Sequence, residues 1–198
     1  MKISVRLLLS CLLAVPVAPA FAAPELFNID SDHTFVTWSV RHLGISTQRG
    51  RFNHSTGKVV LDREGRSGQV DITIDAASID TGSATLERVL RGSSFFDVER
   101  FPTVVFRSTA ITYEGDRPTV VDGELTLLGV TRPVKLSVSG FACSRFPFIV
   151  TLRCGIDATT TLLRSEFGMT SFLGFVSDEV TLMIQAEGTR IERAVPVD

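Results

Sequence analysis

The chain of 198 residues has few of the residues that usually carry catalysis or hold a metal, with only three histidines, three cysteines and one tyrosine. It lacks a G-x-S-x-G sequence, a glycine-rich phosphate loop and any zinc-ligand spacing. Its paired carboxylates, Asp178 and Glu179, are adjacent, so they would face opposite sides of a strand. We therefore expect a protein that is not an enzyme and requires neither a metal nor a cofactor.

The chain also lacks an excess of charge of one sign. Lysine and arginine total 20 and aspartate and glutamate total 22, which gives a formal net charge of −2, and no block of like charge is present. Proteins that bind nucleic acids usually carry a basic patch, so this balance argues against a nucleic-acid partner.

Long apolar runs are absent beyond the N-terminus. There, the basic residues Lys2 and Arg6 precede an apolar stretch, 7–17, and the small residues Ala20 and Ala22 offer cleavage positions. This layout is typical of a secretory signal peptide and is too short to span a bilayer. We predict a signal peptide over 1–22, followed by one exported, soluble domain over 23–198.

Removal of the signal leaves two cysteines, Cys143 and Cys154. In an exported protein such a pair favours a disulfide, and this spacing suits a bridge across a hairpin. Two free thiols are the alternative.

Alternating apolar and polar residues dominate the rest of the chain, as in Val70 to Asp75. Period-two alternation indicates strands with one buried face. The predicted strands are 33–43, 51–62, 70–75, 103–113, 119–128, 134–139, 152–162 and 180–187.

Eight short-linked antiparallel strands hide their edges best by closing into a barrel, whereas a two-sheet sandwich is the main structural alternative. Residues 83–91 instead place Leu86, Val89 and Leu90 at helical spacing before Gly92, and 94–97 resembles a capping box. We predict an all-β, eight-stranded antiparallel barrel with a short helical insert between the third and fourth strands. The insert would cross one mouth of the barrel or pack on its outer wall.

The predicted inward face of the barrel is apolar. An eight-stranded barrel is either filled by its own side chains or holds one small ligand, and the alternation alone favours the filled interior. The inward positions include Val36, Trp38, Val40, Phe52, Phe106, Leu125, Leu127, Leu136 and Leu182.

The three histidines give no metal site by spacing. His33 and His42 are nine residues apart on one predicted strand, which sends them to opposite faces, and no carboxylate or cysteine stands at a helpful distance from His42 and His54.

Two apolar segments occur where loops are expected, at 146–150 and 167–176, the second beginning with Phe167. Loops are usually polar, and exposed apolar patches usually contact a partner. These segments would either form a portal for a ligand or contact a membrane or another protein, or else they pack over the barrel end.

Several motifs, in order along the chain, resemble the YceI family of polyisoprenoid-binding periplasmic proteins. They cover most of 27–190 and are D-S-D-H-T-F from Asp30, V-R-H-L-G-I from Val40, A-S-I-D-T-G from Ala77, F-F-D-V-E-R-F-P from Phe95, L-T-L-L-G-V-T-R-P-V from Leu125 and R-S-E-F-G-M from Arg164.

The resemblance implies a lipocalin-like barrel in the periplasm whose apolar lumen holds an isoprenoid lipid, an isoprenoid quinone or a similar amphiphile. It also implies a homodimer in some members. Whereas the alternation alone favours a filled interior, the resemblance favours an open lumen. By position, His42 and Arg164 would lie near a ligand head group.

One segment departs from the family pattern. Relatives commonly carry R-D-x-H-L-R after the Thr-Gly pair, where this chain has Leu86 and Val89 in place of the arginine and histidine. Either this protein prefers a ligand with a less polar head group, or the insert packs here through more apolar contacts.

The sequence therefore favours non-catalytic binding, transport or storage of a long apolar lipid. The alternative is a solid-core interaction protein that docks a membrane redox or envelope partner through its apolar loops. An enzyme acting on a lipid head group ranks third, because no converging polar residues are visible.

Overall fold

The computed structural model describes residues 23–145 and 151–191. The predicted signal peptide, 1–22, and the apolar segment 146–150 lie outside the described residues. Within the described ranges, no helix combines the length and apolarity needed to cross a membrane.

The described residues form strands almost throughout, because the alternating segments each bury one face. The strands are β1 (Glu25–Ile29), β2 (Phe35–His42), β3 (Ser46–Phe52), β4 (Ser55–Asp62), β5 (Ser67–Asp75), β6 (Ile79–Asp80), β7 (Thr103–Glu114), β8 (Arg117–Leu127), β9 (Val130–Ser144), β10 (Arg153–Leu163) and β11 (Glu179–Arg190).

The strands close into a barrel in which every described pairing is antiparallel. The order runs β1-β4-β5-β7-β8-β9-β10-β11, and β1 also pairs with β11. The C-terminal part of β11 pairs with β1, whereas its middle pairs with β2, so β1 and β2 are two parts of one barrel strand. Strands β3 and β4 make the next barrel strand in the same way. The predicted eight-stranded barrel is confirmed, with two of its strands interrupted.

The first interruption corrects the prediction of one strand over 33–43. Residues Ser31–His33 form a 3-10 helix, in which the Asp30 carboxylate accepts the backbone N–H of Asp32 at 3.1 Å. Aspartate side chains readily turn the backbone in this way. His33 therefore does not share a strand with His42, and the face-alternation argument used to separate them was wrong.

The second interruption divides the strand predicted over 51–62. At Asn53 and His54 the backbone N–H groups leave the barrel ladder and donate to the carbonyl and hydroxyl oxygens of Ser78. The short strand β6, which follows Ser78, then pairs with the end of β3.

The helical insert lies between β5 and β7, as predicted. Its helix α1 (Ala84–Arg91) begins at Ser83, whose hydroxyl oxygen accepts the N–H of Leu86, and it ends at Gly92. The segment after Gly92 forms hydrogen-bonded turns. The Phe96 ring meets Phe52 of β3 edge to face at 5.4 Å, which seats the insert at one end of the barrel.

The disulfide between Cys143 and Cys154 is confirmed. The two residues are directly opposite each other on β9 and β10, with their Cα atoms 4.0 Å apart. The bridge closes the hairpin whose connection contains 146–150.

Candidate ligand-binding site

Two apolar cavities adjoin each other inside the barrel. We call them the upper cavity, of about 160 Å³, and the lower cavity, of about 170 Å³. Each is close in size to an engineered apolar cavity of about 150 Å³ that stays dry and binds benzene. Both are lined by Val36, Ile74, Leu125 and Leu182, which we call the waist. The two cavities therefore lie next to each other along the barrel, and together we call them the lumen.

The upper cavity is walled mainly by strands and is almost entirely apolar. Its lining beyond the waist includes Phe27, Val59, Leu61, Val70, Ile72, Phe106, Ile111, Tyr113, Val121, Val134, Leu136, Phe141, Cys154, Ile156 and Ile184. The disulfide at Cys154 thus fastens two strands that wall this cavity.

The lower cavity is walled partly by strands and partly by the insert and the 164–178 segment. Beyond the waist its lining includes Trp38, Val40, His42, Gln48, Phe52, Leu86, Leu90, Phe95, Phe96, Val104, Leu127, Leu162, Arg164, Met169, Val176 and Val180. Polar residues occur in both linings, with His42, Gln48 and Arg164 at the lower cavity and Tyr113, Thr160 and Glu187 at the upper one, but both cavities present almost entirely apolar surface.

Most residues predicted to contact a ligand surround this lumen. The lower cavity takes Trp38, Val40, His42, Phe52, Leu127 and Arg164, the upper cavity takes Phe106 and Leu136, and the waist includes Val36, Leu125 and Leu182. Phe167 lines neither cavity, because it is 1% exposed and packs in the core beside the lumen. Ligand contact remains a prediction for all of them.

The sequence did not point to two groups of lumen residues. Phe27 was missed because β1 is only five residues long and precedes the first predicted strand. Leu90 and Phe95 were missed because they belong to the insert, although the helical spacing of Leu86 and Leu90 identifies an apolar face that must cover something.

Arg164 is 3% exposed and organises the segment that closes the lower end. Its Nε donates to the Ser177 carbonyl, one terminal nitrogen donates to the carbonyls of Met169 and Ser171, and the other donates to Val176, all at 2.8–3.0 Å. Burial lowers the pKa of this guanidinium, and the nearby Asp178 carboxylate opposes that shift. Since most of its donors are engaged by the backbone, its evident task is to hold this segment in shape.

Asp178 supports the same segment from its other side. Its carboxylate accepts the Ser165 hydroxyl at 2.6 Å and the Ser165 backbone N–H at 2.8 Å. The hydroxyl hydrogen bond is the largest influence that lowers the pKa of Asp178 below its ordinary value of 3.8, and the Arg164 charge adds to it. The carboxylate is therefore stabilised in its charged form.

The 167–176 segment is partly packed and partly exposed. Phe167 and Met169 are buried, whereas Phe172 and Phe175 are 57% and 61% exposed. The Phe175 carbonyl accepts the N–H of Leu43 at the end of β2, which brings the segment beside the β2–β3 turn.

The 167–176 segment and the β2–β3 turn together form an exposed apolar surface, which we call the rim patch. It consists of Leu43, Ile45, Phe172, Leu173 and Phe175. The patch adjoins the lower cavity, because Phe172 stacks on Phe95 at 6.0 Å and Phe95 lines that cavity. Large apolar surfaces in contact with a cavity commonly mark binding sites.

The two residues that depart from the family pattern, Leu86 and Val89, lie in different environments. Leu86 lines the lower cavity, so it presents an apolar side chain to the lumen. Val89 is 47% exposed and faces away, so it neither packs tightly nor reaches the lumen.

The three histidines lie in separate environments. His33 forms a hydrogen bond with the Asp30 carboxylate, His54 forms one with the Ser31 hydroxyl, and His42 lines the lower cavity. Across the described ranges, no three histidine, cysteine or acidic side chains come together as metal ligands would.

Comparisons with known proteins agree with this architecture. The YceI-like domain family matches residues 27–188. A UPF0312 protein of Pectobacterium atrosepticum is 35% identical over 172 residues, which is 86% of this chain and 88% of the relative. A UPF0312 protein of Yersinia pestis (strain Pestoides F) is 33% identical over 174 residues, which is 87% of this chain and 90% of the relative.

Solved structures show the same fold. BcnA of Burkholderia cenocepacia superposes with a TM-score of 0.66 at 23% identity, covering 80% of this chain and 98% of BcnA. A polyisoprenoid-binding domain from Saccharophagus degradans gives a TM-score of 0.63 at 13% identity, covering 83% of this chain and 98% of that domain. With a family match over most of its length and relatives above 30% identity, this chain belongs to the YceI-like family.

Proposed function

We propose that this protein binds a long apolar lipid, such as an isoprenoid chain or an isoprenoid quinone, inside its barrel. The observation that carries the proposal is the elongated apolar lumen, in which two cavities meet at the waist. The polyisoprenoid-binding domain of Saccharophagus degradans, which has the same fold, supports it. We further propose that the protein acts in the periplasm, in transport or storage, without catalysis.

The lumen suits a hydrocarbon tail on energetic grounds. Each buried methylene group contributes about 0.8 kcal/mol, so a chain that runs through both cavities gains enough to offset its loss of freedom. A ligand much shorter than the lumen would leave one cavity empty and gain less.

We propose that the head group lies at the lower end. His42 and Gln48 line this cavity with apolar atoms, and in this proposal their polar atoms turn toward the ligand to hydrogen-bond a carbonyl or hydroxyl. Leu86 limits the polarity of this end, which favours a small or weakly polar head group.

The rim patch supplies the route of access in this proposal. Its exposed Phe172 and Phe175 would contact a membrane transiently while a lipid passes between the bilayer and the lower cavity. Exposed phenylalanine and leucine side chains can insert at the boundary between head groups and acyl chains, which supports this assignment.

The direct test is to purify the protein from its native host under mild conditions. Organic extraction and mass spectrometry should reveal a long-chain lipid in about equal molar amount to the protein. A lipid-free extract, together with no uptake of an added isoprenoid quinone, would refute the proposal.

A second test uses Trp38, the single tryptophan of the chain, which lines the lower cavity. Trp38→Ala should weaken binding of the extracted lipid more than it lowers the free energy of unfolding. Equal losses of affinity and stability would instead indicate a purely structural role in a filled core.

A second candidate function is docking of a membrane or envelope protein. The exposure of the rim patch favours it, although the cavities argue against the solid core that this alternative assumed. Capture of one defined envelope protein, lost in a Phe172→Ser/Phe175→Ser variant but kept in a variant with an altered lumen, would support docking over lipid binding.

A further inference from the structure

The barrel carries two glycines directly beneath aromatic rings that border the lumen. Gly50 on β3 is paired with Trp38 on β2, so the two residues share the inward face. Gly123 on β8 alternates with Val121 and Leu125, which line the upper cavity, so its missing side chain would also point inward.

At Gly50 the Trp38 ring occupies the space that a side chain would take. A Cβ there would lie 2.7 Å from Cε2 of the indole and closer still to Cζ2, and both distances are shorter than real contacts allow. The indole therefore lies over bare backbone at the wall of the lower cavity.

The same arrangement recurs at the upper cavity. A Cβ on Gly123 would lie 2.5 Å from Cζ and 2.7 Å from Cε2 of Phe106. Phe106 is paired with Leu125 of the waist, and its ring leans along the sheet over Gly123.

We infer that Gly50 and Gly123 determine the free cross-section of the lumen, and thereby the length and bulk of the chain that it accepts. Any side chain at either position would lift the ring off the wall, and the space into which it would move is the cavity that the ring lines. Glycine–aromatic pairs are a known device in sheets, where the ring covers the exposed backbone. This inference rests on the proposed function and identifies the residues that set its specificity.

The closing experiment compares Gly50→Ala and Gly123→Ala with Gly155→Ala. Gly155 also borders the upper cavity, but a Cβ there meets no aromatic ring and only ordinary contacts, 3.6 Å from Glu187 and 3.8 Å from the Ala186 carbonyl. It therefore controls for the general effect of replacing a strand glycine. The probes are farnesol, geranylgeraniol and solanesol, in order of increasing chain length, with Trp38 fluorescence as the readout.

We expect Gly50→Ala and Gly123→Ala to weaken geranylgeraniol binding about tenfold relative to Gly155→Ala, the equivalent of about two buried methylene groups. Measured by native mass spectrometry, adding Gly50→Ala to a Trp38→Leu protein should weaken binding much less than adding it to the wild type, because the ring that the alanine displaces is absent. Wild-type affinity in a folded Gly50→Ala protein would overturn the inference.

An alanine at either glycine would also approach a backbone carbonyl, that of Asp80 or Arg107, so these variants can fail to fold. In that case Trp38→Leu and Phe106→Leu carry the test, with binding measured by native mass spectrometry because Trp38→Leu removes the only tryptophan. Each should raise the preference for solanesol over farnesol by about fourfold, the equivalent of one more buried methylene group. An unchanged preference in both folded variants would overturn the inference.

Failure of the proposed function has a different signature. If the wild-type protein binds none of the three alcohols, the emission spectrum of Trp38 still reports the position of the ring. A shifted emission maximum in Gly50→Ala, but not in Gly155→Ala, supports displacement of the indole, and identical spectra contradict it.

Discussion

The two ends of the lumen are built in different ways. The upper cavity is enclosed mainly by hydrogen-bonded strands and fastened by Cys143–Cys154, whereas the lower cavity depends on α1, the turns after it and the 164–178 segment. Strand ladders satisfy their own backbone groups, but irregular segments need side chains to do so. The comparison indicates one cavity held by strand ladders and a disulfide, and another whose shape depends on a few polar residues.

The largest expected effect is on the lower end, through Arg164. Arg164→Met leaves one buried and three partly buried carbonyls without their donor, which costs about 3 kcal/mol in free energy of unfolding. Urea denaturation measures the loss. Arg132→Met is the control, because its exposed guanidinium makes one hydrogen bond to the same segment, at Glu166, and its loss should be much smaller. Similar losses in both variants would contradict the role of Arg164.

The next largest loss of stability is expected from removing the disulfide beside the upper cavity. Replacing both Cys143 and Cys154 by serine should lower the free energy of unfolding by about 2.5–3 kcal/mol, because the unfolded chain regains the freedom of the closed loop. Thermal unfolding with and without reductant checks this value, since reductant should affect only the wild-type protein. Geranylgeraniol binding to the folded variant should weaken less than in Arg164→Met, and the reverse order would contradict the assignment of the two ends.

A smaller effect depends on pH. The pKa of Asp178 is lowered in the folded protein, so its contribution to stability is present above its ordinary value of 3.8 and is lost as the pH falls through the folded pKa. Asp178→Asn should therefore destabilise the protein at neutral pH and match the wild type more closely in strong acid. Urea unfolding across this range measures the difference, and a difference that does not change with pH would contradict it.

The smallest effect on stability is expected at the rim patch. Phe172→Ser/Phe175→Ser should change the free energy of unfolding by about 0.5 kcal/mol or less, because both side chains are largely exposed. The same variant should bind phosphatidylglycerol-containing vesicles more weakly in a flotation assay. Met183→Ser, at an exposed apolar residue of β11 outside the patch, is the control. Equal vesicle binding by all three proteins would remove the membrane role from the proposal.

The oligomeric state is also open to a simple measurement. The family resemblance implies a homodimer in some members. Sedimentation of the wild-type protein and of the Phe172→Ser/Phe175→Ser variant, measured separately, checks that prediction.

Much of the barrel could be predicted from alternation, because each long strand has one buried face. The interruptions could not, since the turn at Asp30 depends on a side-chain hydrogen bond and the break at Asn53 depends on hydrogen bonds to Ser78, and the alternation of apolar and polar residues reveals neither. The contributions of Leu90 and Phe95 to the lumen were likewise invisible, because the sequence does not say against which face of the barrel an insert packs.

By itself the sequence determined the all-β class, the apolar inward face and the cysteine pair, because periodicity and cysteine number are local properties of the chain. Only the tertiary structure decided that the inward side chains leave space between them. That outcome depends on how Trp38 and Phe106 lie over Gly50 and Gly123, and such contacts exist only once separate strands are brought together.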